Sequence, residues 1–201
     1  MILYVESNFV VEWVFEQEQS HAVEELLLMA ERSELDLMIP AFALVEPIWS
    51  IENTKSSKDL LSGLEYLRAE ISRTSNKEDV QAQIMAMTAT VRSLQSDHEF
   101  RLGWVTRRLL DCASLIPLHT KNIRLSFHLE RPLNLAPLDA IILASILDDL
   151  KSQPKDQDKV FCSRDREAFA RKAVREHLQV DNCQLIPNFS DALAFAKSRT
   201  S

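Results

Sequence analysis

The chain has 201 residues, of which 46% are hydrophobic and 26% charged, the usage of an ordinary globular domain or of one with a sizeable insertion; disordered and collagen-like chains are excluded. The net charge of −7 is concentrated at the start, where residues 1–51 hold ten acids against the single base Arg32, so broad polyanion binding by bulk charge is discouraged. No uncharged run reaches the ~18 residues of a membrane helix; the longest, Val80–Val91, stops at Asp79 and Arg92.

Ile2–Val5 is a β-rich apolar run and reads as a buried strand. It meets Glu6 with no preceding Lys or Arg, so a signal peptide is not expected. Helical spacing follows over 8–17 and again over 20–33. Leu35–Ile39 reads as a strand closed by Pro40, and 41–52 as a helix that Pro47 should kink or delay.

Residues 53–114 contain no good strand. Ser75 and Glu78 form a capping box opening a helix to about 96. Its apolar residues Val80, Ile84, Met87, Val91 and Leu94 step by four and three, and Leu60, Leu64, Leu67 and Ile71 match them on the preceding segment. An inserted antiparallel hairpin is expected, followed by a third helix bearing Arg101, Arg107 and Arg108 in solvent.

Strand–helix alternation then returns. Leu115–Leu118 is a short strand, 120–129 a helix, and Pro137 is placed to start a helix over 138–150. Val160–Cys162 is a buried strand, 166–178 a basic helix and Cys183–Ile186 a last strand, and Asn188 with Asp191 opens a terminal helix. The alternation predicts a parallel α/β sheet flanked by helices, one domain over 1–201 with a helical insertion at about 53–114.

Two glycines, Gly63 and Gly103, stand where average usage predicts about fourteen. The P-loop and the dinucleotide fingerprint, which need several glycines in one turn, are ruled out. The five histidines show no paired spacing and no Cys-x-x-Cys occurs, so zinc chemistry is not expected. Three scattered cysteines make no disulfide framework, which suits a reducing cytoplasm.

The remaining chemistry rests on carboxylates. Parallel sheets bind ligands at the carboxyl ends of their strands, so acids placed there mean more than acids on helix faces. Glu6 follows the first strand, Asp165 follows a late one, Asp139 lies in the first turn of its helix and Glu46 sits among apolar neighbours. Four converging carboxylates repel unless a hard cation such as Mg²⁺ or Mn²⁺ neutralises them. Taken singly, Asp139 and Asp165 could equally serve their helix N-termini.

The strings add to the counts. Tyr4-Val5-Glu6-Ser7-Asn8-Phe9-Val10 resembles the opening of PIN-domain proteins, where a strand runs into Asp-Thr/Ser-Asn. Ile39-Pro40 with Leu44-Val45-Glu46, then Leu138–Ala144, then Phe161-Cys162-Ser163-Arg164-Asp165 with Phe169 resemble the second, third and fourth motifs of that family, and Cys183–Pro187 into Phe189 its closing elements. The resemblance covers about 1–51 and 115–197. It implies a PIN-like sheet and a Mg²⁺- or Mn²⁺-dependent ribonuclease, many of which are toxins paired with an antitoxin protein. By position Glu6, Glu46, Asp139 and Asp165 would hold the metal and orient water, with Asn8 and Ser163 positioning them by hydrogen bonds. Glu6 departs from the family's Asp by one methylene, and Pro47 directly after Glu46 is a second departure.

Arg164, Arg166, Arg171, Lys172 and Arg175 cluster beside Asp165 and suit either phosphate contacts, above all through Arg164 and Arg166, or a solvated helix face. Trp13, Trp49 and Trp104 read as core, and His119, His128 and Cys162 as ordinary structural residues. The alternative to a nuclease acting on RNA is a PIN-like module with a weakened site that works through protein contacts; a homodimer is left open. A carboxylate-metal phosphatase of another family is poorly supported, since no Asp-x-Asp follows a strand.

Overall fold

The computed structural model describes residues 1–52, 55–73 and 77–200, with the side chains of 49–58 and 200 outside the described set. The Ser75–Glu78 capping box and the packing of Trp49 therefore fall outside the described residues. Strands β1 (Ile2–Val5), β2 (Asp36–Pro40), β3 (Ala113–Ile116), β4 (Lys159–Cys162) and β5 (Cys183–Ile186) form one parallel sheet in the order β3-β2-β1-β4-β5. The helices are α1 (Ser7–Val14), α2 (Ser20–Glu31), α3 (Val45–Glu52), α4 (Lys55–Ser72), α5 (Glu78–Cys112), α6 (Thr120–Leu133), α7 (Pro137–Leu150), α8 (Arg166–Phe169), α9 (Lys172–Gln179) and α10 (Phe189–Thr200). The α/β fold with a parallel sheet is as the alternation predicts.

Contacts divide the chain into two units, Met1–Pro47 with Trp104–Ser201, and Ile48–Gly103. In the first unit β1 and β4 are buried along their whole length, as central parallel strands must be when helices cover both faces. Phe9 meets Phe189 edge to face at 5.5 Å and Phe161 meets Phe169 at 5.1 Å, locking α1 to α10 and β4 to α8. Starting from β1, the chain steps outward through β2 to β3 and then places β4 on the other side of β1. The order reverses between β1 and β4, so the crevice beyond their carboxyl ends is the natural ligand position of this sheet.

Several elements differ from the sequence reading, each for a physical reason. A 3₁₀ turn over Ala41–Leu44 precedes α3, so Pro47 lies in the first turn of that helix, where its missing N–H costs no intrahelical bond. Pro47 delays the helix and does not kink it. The third inserted helix does not exist separately: α5 runs unbroken for 35 residues and passes directly into β3. The apolar seam is interrupted by the polar stretch after Leu94 and resumes on the same face, five turns beyond Ile84, Met87 and Val91, at Leu102, Val105 and Leu109, all buried. The strand expected at Leu115–Leu118 lies two residues earlier, because Pro117 cannot donate to a ladder. The basic helix is split at Ala170–Arg171 into α8 and α9.

The second unit is the hairpin of α4 and the first part of α5. Leu64 and Ile84 are buried in it, but the rest of the expected seam is not: Leu67, Met87, Leu60 and Leu94 are about half exposed or more.

Arg108, expected in solvent, is largely covered. Its guanidinium donates to Glu31 Oε1 at 2.6 Å and to Glu24 Oε1 at 2.8 Å, and lies 4.4 Å from the Trp104 ring centroid. Trp104 in turn stacks on Trp13 at 4.8 Å. Trp104 is 42% exposed, so it is a clamped surface ring and not the core residue expected. Arg108→Ala removes charge-assisted bonds and a cation–π contact together, and should lower stability by roughly 2 kcal/mol in chemical denaturation; a change within error would show the cluster to be incidental.

Candidate acidic site

Glu6 leaves the carboxyl end of β1 and serves as the N-cap of α1. Its side chain is 2% exposed and fully engaged. Oε2 accepts from the Asn8 backbone N–H at 2.8 Å and from Ser7 Oγ at 2.9 Å, while Oε1 accepts from Ser163 Oγ at 2.9 Å. Burial raises its pKa to about 7 against the pull of those donors. Ser163 follows β4, and its Oγ also accepts from the Asp165 N–H at 3.0 Å. Asp165 caps α8 by accepting from the Ala168 N–H at 2.8 Å.

Glu46 enters from α3. Ser7 Oγ lies 2.6 Å from its Oε2, as well as 2.9 Å from Glu6 Oε2. The hydroxyl has one proton and donates to one of the two carboxylates at a time, so Ser7 couples Glu46 to Glu6.

Asp139 comes from the first turn of α7 and is half-buried. Its pKa is raised to about 6, first by burial and then by the charges of Asp165 and Glu46. The structure thus brings all four sequence-selected carboxylates to one end of the sheet, at the β1/β4 reversal. Arg171 bears on Asp139 as the nearby counter-charge. Its guanidinium donates to the Leu133 carbonyl at 2.7 Å and to that of Asn134, the left-handed cap of α6, and so ties down the turn that leads into α7.

The donors are all oxygen, which suits a hard divalent cation, and the repulsion on Asp139 is what such a cation would relieve. As the side chains stand, however, no three His, Cys, Asp or Glu groups among the described residues are disposed to grip one ion. Glu6 explains part of this: its oxygens are turned to three donors within the chain. Glu6 fits the role of a hydrogen-bonded hub better than that of a ligand, and Glu46, Asp139 and Asp165 are the remaining set.

Two basic residues expected at phosphate differ in their availability. Arg166 is exposed. Arg164 is taken up by Glu12, itself 1% exposed, and reaches Glu18 at 3.5 Å. Arg164 therefore holds the loop after β4 to α1 and is not open to substrate. Arg164→Ala leaves the buried Glu12 carboxylate without its counter-charge, held among the described residues only by the Gln19 N–H, and should cost roughly 2 kcal/mol, seen as a lowered denaturation midpoint; a loss of substrate affinity at unchanged stability would contradict this role. Asn8 contributes its backbone N–H, and its side chain as well favours the ionised form of Glu6, the positioning role expected of it.

Ser7 and Glu12 are the site residues that the sequence reading did not single out. Ser7 had a signal, a hydroxyl directly after a strand-end acid, while nothing in the spacing marks Glu12. Arg171 was read as one of a basic cluster for phosphate or solvent, and the structure instead ties it to the α6 carbonyls and sets it near Asp139. No family model, no curated protein and no solved structure matches the chain.

Proposed function

We propose that the chain is a metal-dependent nuclease that hydrolyses RNA phosphodiester bonds. The observation that supports this is the convergence of Glu46 and Asp139 with Asp165 beside buried Glu6, at the reversal point of a parallel sheet. Glu46, Asp139 and Asp165 would hold Mg²⁺ or Mn²⁺, which supplies Lewis acidity toward a phosphoryl oxygen and lowers the pKa of water. The chain's own side chains do the rest. Ser7 orients Glu46, Ser163 links Glu6 to the Asp165 backbone, and Arg171 restrains the turn before Asp139. Exposed Arg166 is available for a substrate phosphate. A toxin role with an antitoxin partner and a cytoplasmic location belong to the same proposal through the PIN resemblance; no described helix is long and apolar enough to cross a membrane.

The test is cleavage of a labelled single-stranded RNA by purified protein with Mn²⁺, with Mg²⁺ and with EDTA. Cleavage that needs the ion and disappears in Asp139→Asn supports the proposal; equal cleavage in EDTA, or none under any condition, removes it.

One observation favours a second reading, a PIN-like module with a weakened site. The Glu6 carboxylate is engaged on both oxygens by Ser7, Asn8 and Ser163, within the chain. Under that reading Glu6→Asp frees a carboxylate and restores metal-dependent cleavage to an inactive protein.

A further inference from the structure

The α4–α5 hairpin carries an apolar groove of about 370 Å³, open to solvent and lined by Leu60, Leu64, Ala86, Met87, Thr90 and Val91. Met87 is 60% exposed and Leu60 50%. The stretch Val80–Val91 holds no charge on any face, so covering it desolvates no ionised group. Solvated helix faces normally carry charges, and an uncharged, exposed three-turn stretch needs a covering partner.

Charge at the two ends of the groove identifies the kind of partner. Asp79 and Asp97 are eighteen residues apart, five helical turns, so they lie on one face of α5. Ala86 and Thr90 fall on that same face, seven and eleven residues after Asp79, which places one acid beyond each end of the groove along ~27 Å of helix. Both carboxylates are exposed, and neither pairs with a Lys or Arg among the described residues. Arg101, one turn past Asp97, is half-buried and already engaged. A second copy of the chain is a poor fit: a two-fold pairing of this face sets Asp79 against Asp97 if antiparallel and like against like if parallel.

We propose that this groove binds an amphipathic helix of a partner protein, with apolar residues at i, i+3, i+4 and i+7 and Lys or Arg flanking them at both ends. The apolar stripe fills the space beside Met87 and Leu60, and the flanking bases meet Asp79 and Asp97.

The experiment titrates the full chain with a synthetic 18-residue Leu/Lys peptide of that pattern, with a scrambled peptide of the same composition, and with a Leu/Glu peptide, by fluorescence anisotropy. The Leu/Lys peptide should bind at least about tenfold tighter than either control. Met87→Glu, at an exposed position and so compatible with folding, should abolish the preference, and Asp79→Lys with Asp97→Lys should transfer it to the Leu/Glu peptide. Glu34→Lys with Glu16→Lys makes the same change in net charge in the other unit and should leave the preference unaltered. Equal binding of the scrambled peptide, or an equal effect of the two double variants, overturns the proposal. So does a wild-type protein that sediments as a dimer and is made monomeric by Met87→Glu, since the occupant would then be a second copy.

Discussion

Thermal stability should fall as pH rises from about 4.5 to 8, opposite to the usual behaviour of a protein with salt-bridged carboxylates. Glu6 has its pKa raised from the ordinary 4.5 to about 7. A carboxyl group whose folded pKa lies above its unfolded value binds its proton more tightly in the native state. Its contribution is fully present below about 4.5 and is lost as pH climbs through 7. A difference of this size corresponds to a few kcal/mol, about 3 as an upper figure. Asp139, raised to about 6, acts in the same direction over a slightly lower range. Glu6→Gln keeps the shape and most of the hydrogen bonds without the charge, so its melting temperature at pH 8 should exceed that of wild type, with a flatter pH profile. A wild-type melting temperature that rises between pH 5 and pH 8 would show that Glu6 is ionised and satisfied in the fold.

Asp139→Asn should separate stability from activity. Without divalent ions at pH 8 the substitution removes repulsion with Asp165 and Glu46, so the variant should be as stable as wild type or more so. Metal-dependent RNA cleavage should fall by at least about a hundredfold, because one of three candidate ligands becomes neutral. Mn²⁺ should raise the melting temperature of wild type by mass action and leave the variant almost unchanged. An Asp139→Asn protein that melts well below wild type in EDTA would assign the carboxylate a structural role at its helix N-terminus instead.

The parts of the fold legible in the sequence are those where one local pattern had one outcome. Ile2–Val5 and Val160–Cys162 are short, apolar and followed by polar residues, and each is a central strand. Pro137 opens α7 because its missing N–H is tolerated there. The hairpin was harder. Its seam repeats at helical spacing, yet spacing says nothing about how closely a partner helix approaches, so buried Ile84 and exposed Met87 look alike in sequence. The same limit applies to the site. That Glu6, Glu46, Asp139 and Asp165 could meet follows from strand ends and motif order. Where each carboxylate points does not, and Glu6 turned toward Ser7, Asn8 and Ser163 is a matter of tertiary geometry. Arg164 illustrates it again: beside Asp165 in sequence it suggests phosphate, while in space buried Glu12 claims it.

The most direct measurement is calorimetric titration of Mn²⁺ into metal-free protein at pH 7.5, for wild type, Asp139→Asn and Glu6→Gln. Wild type should bind the ion, Asp139→Asn should lose at least tenfold in affinity, and Glu6→Gln should retain binding, because its neighbour carboxylates and not Glu6 are the ligands. Absence of heat from wild type, with the melting temperature equally unmoved by Mn²⁺, would contradict a cation site at the β1/β4 reversal and with it the nuclease proposal.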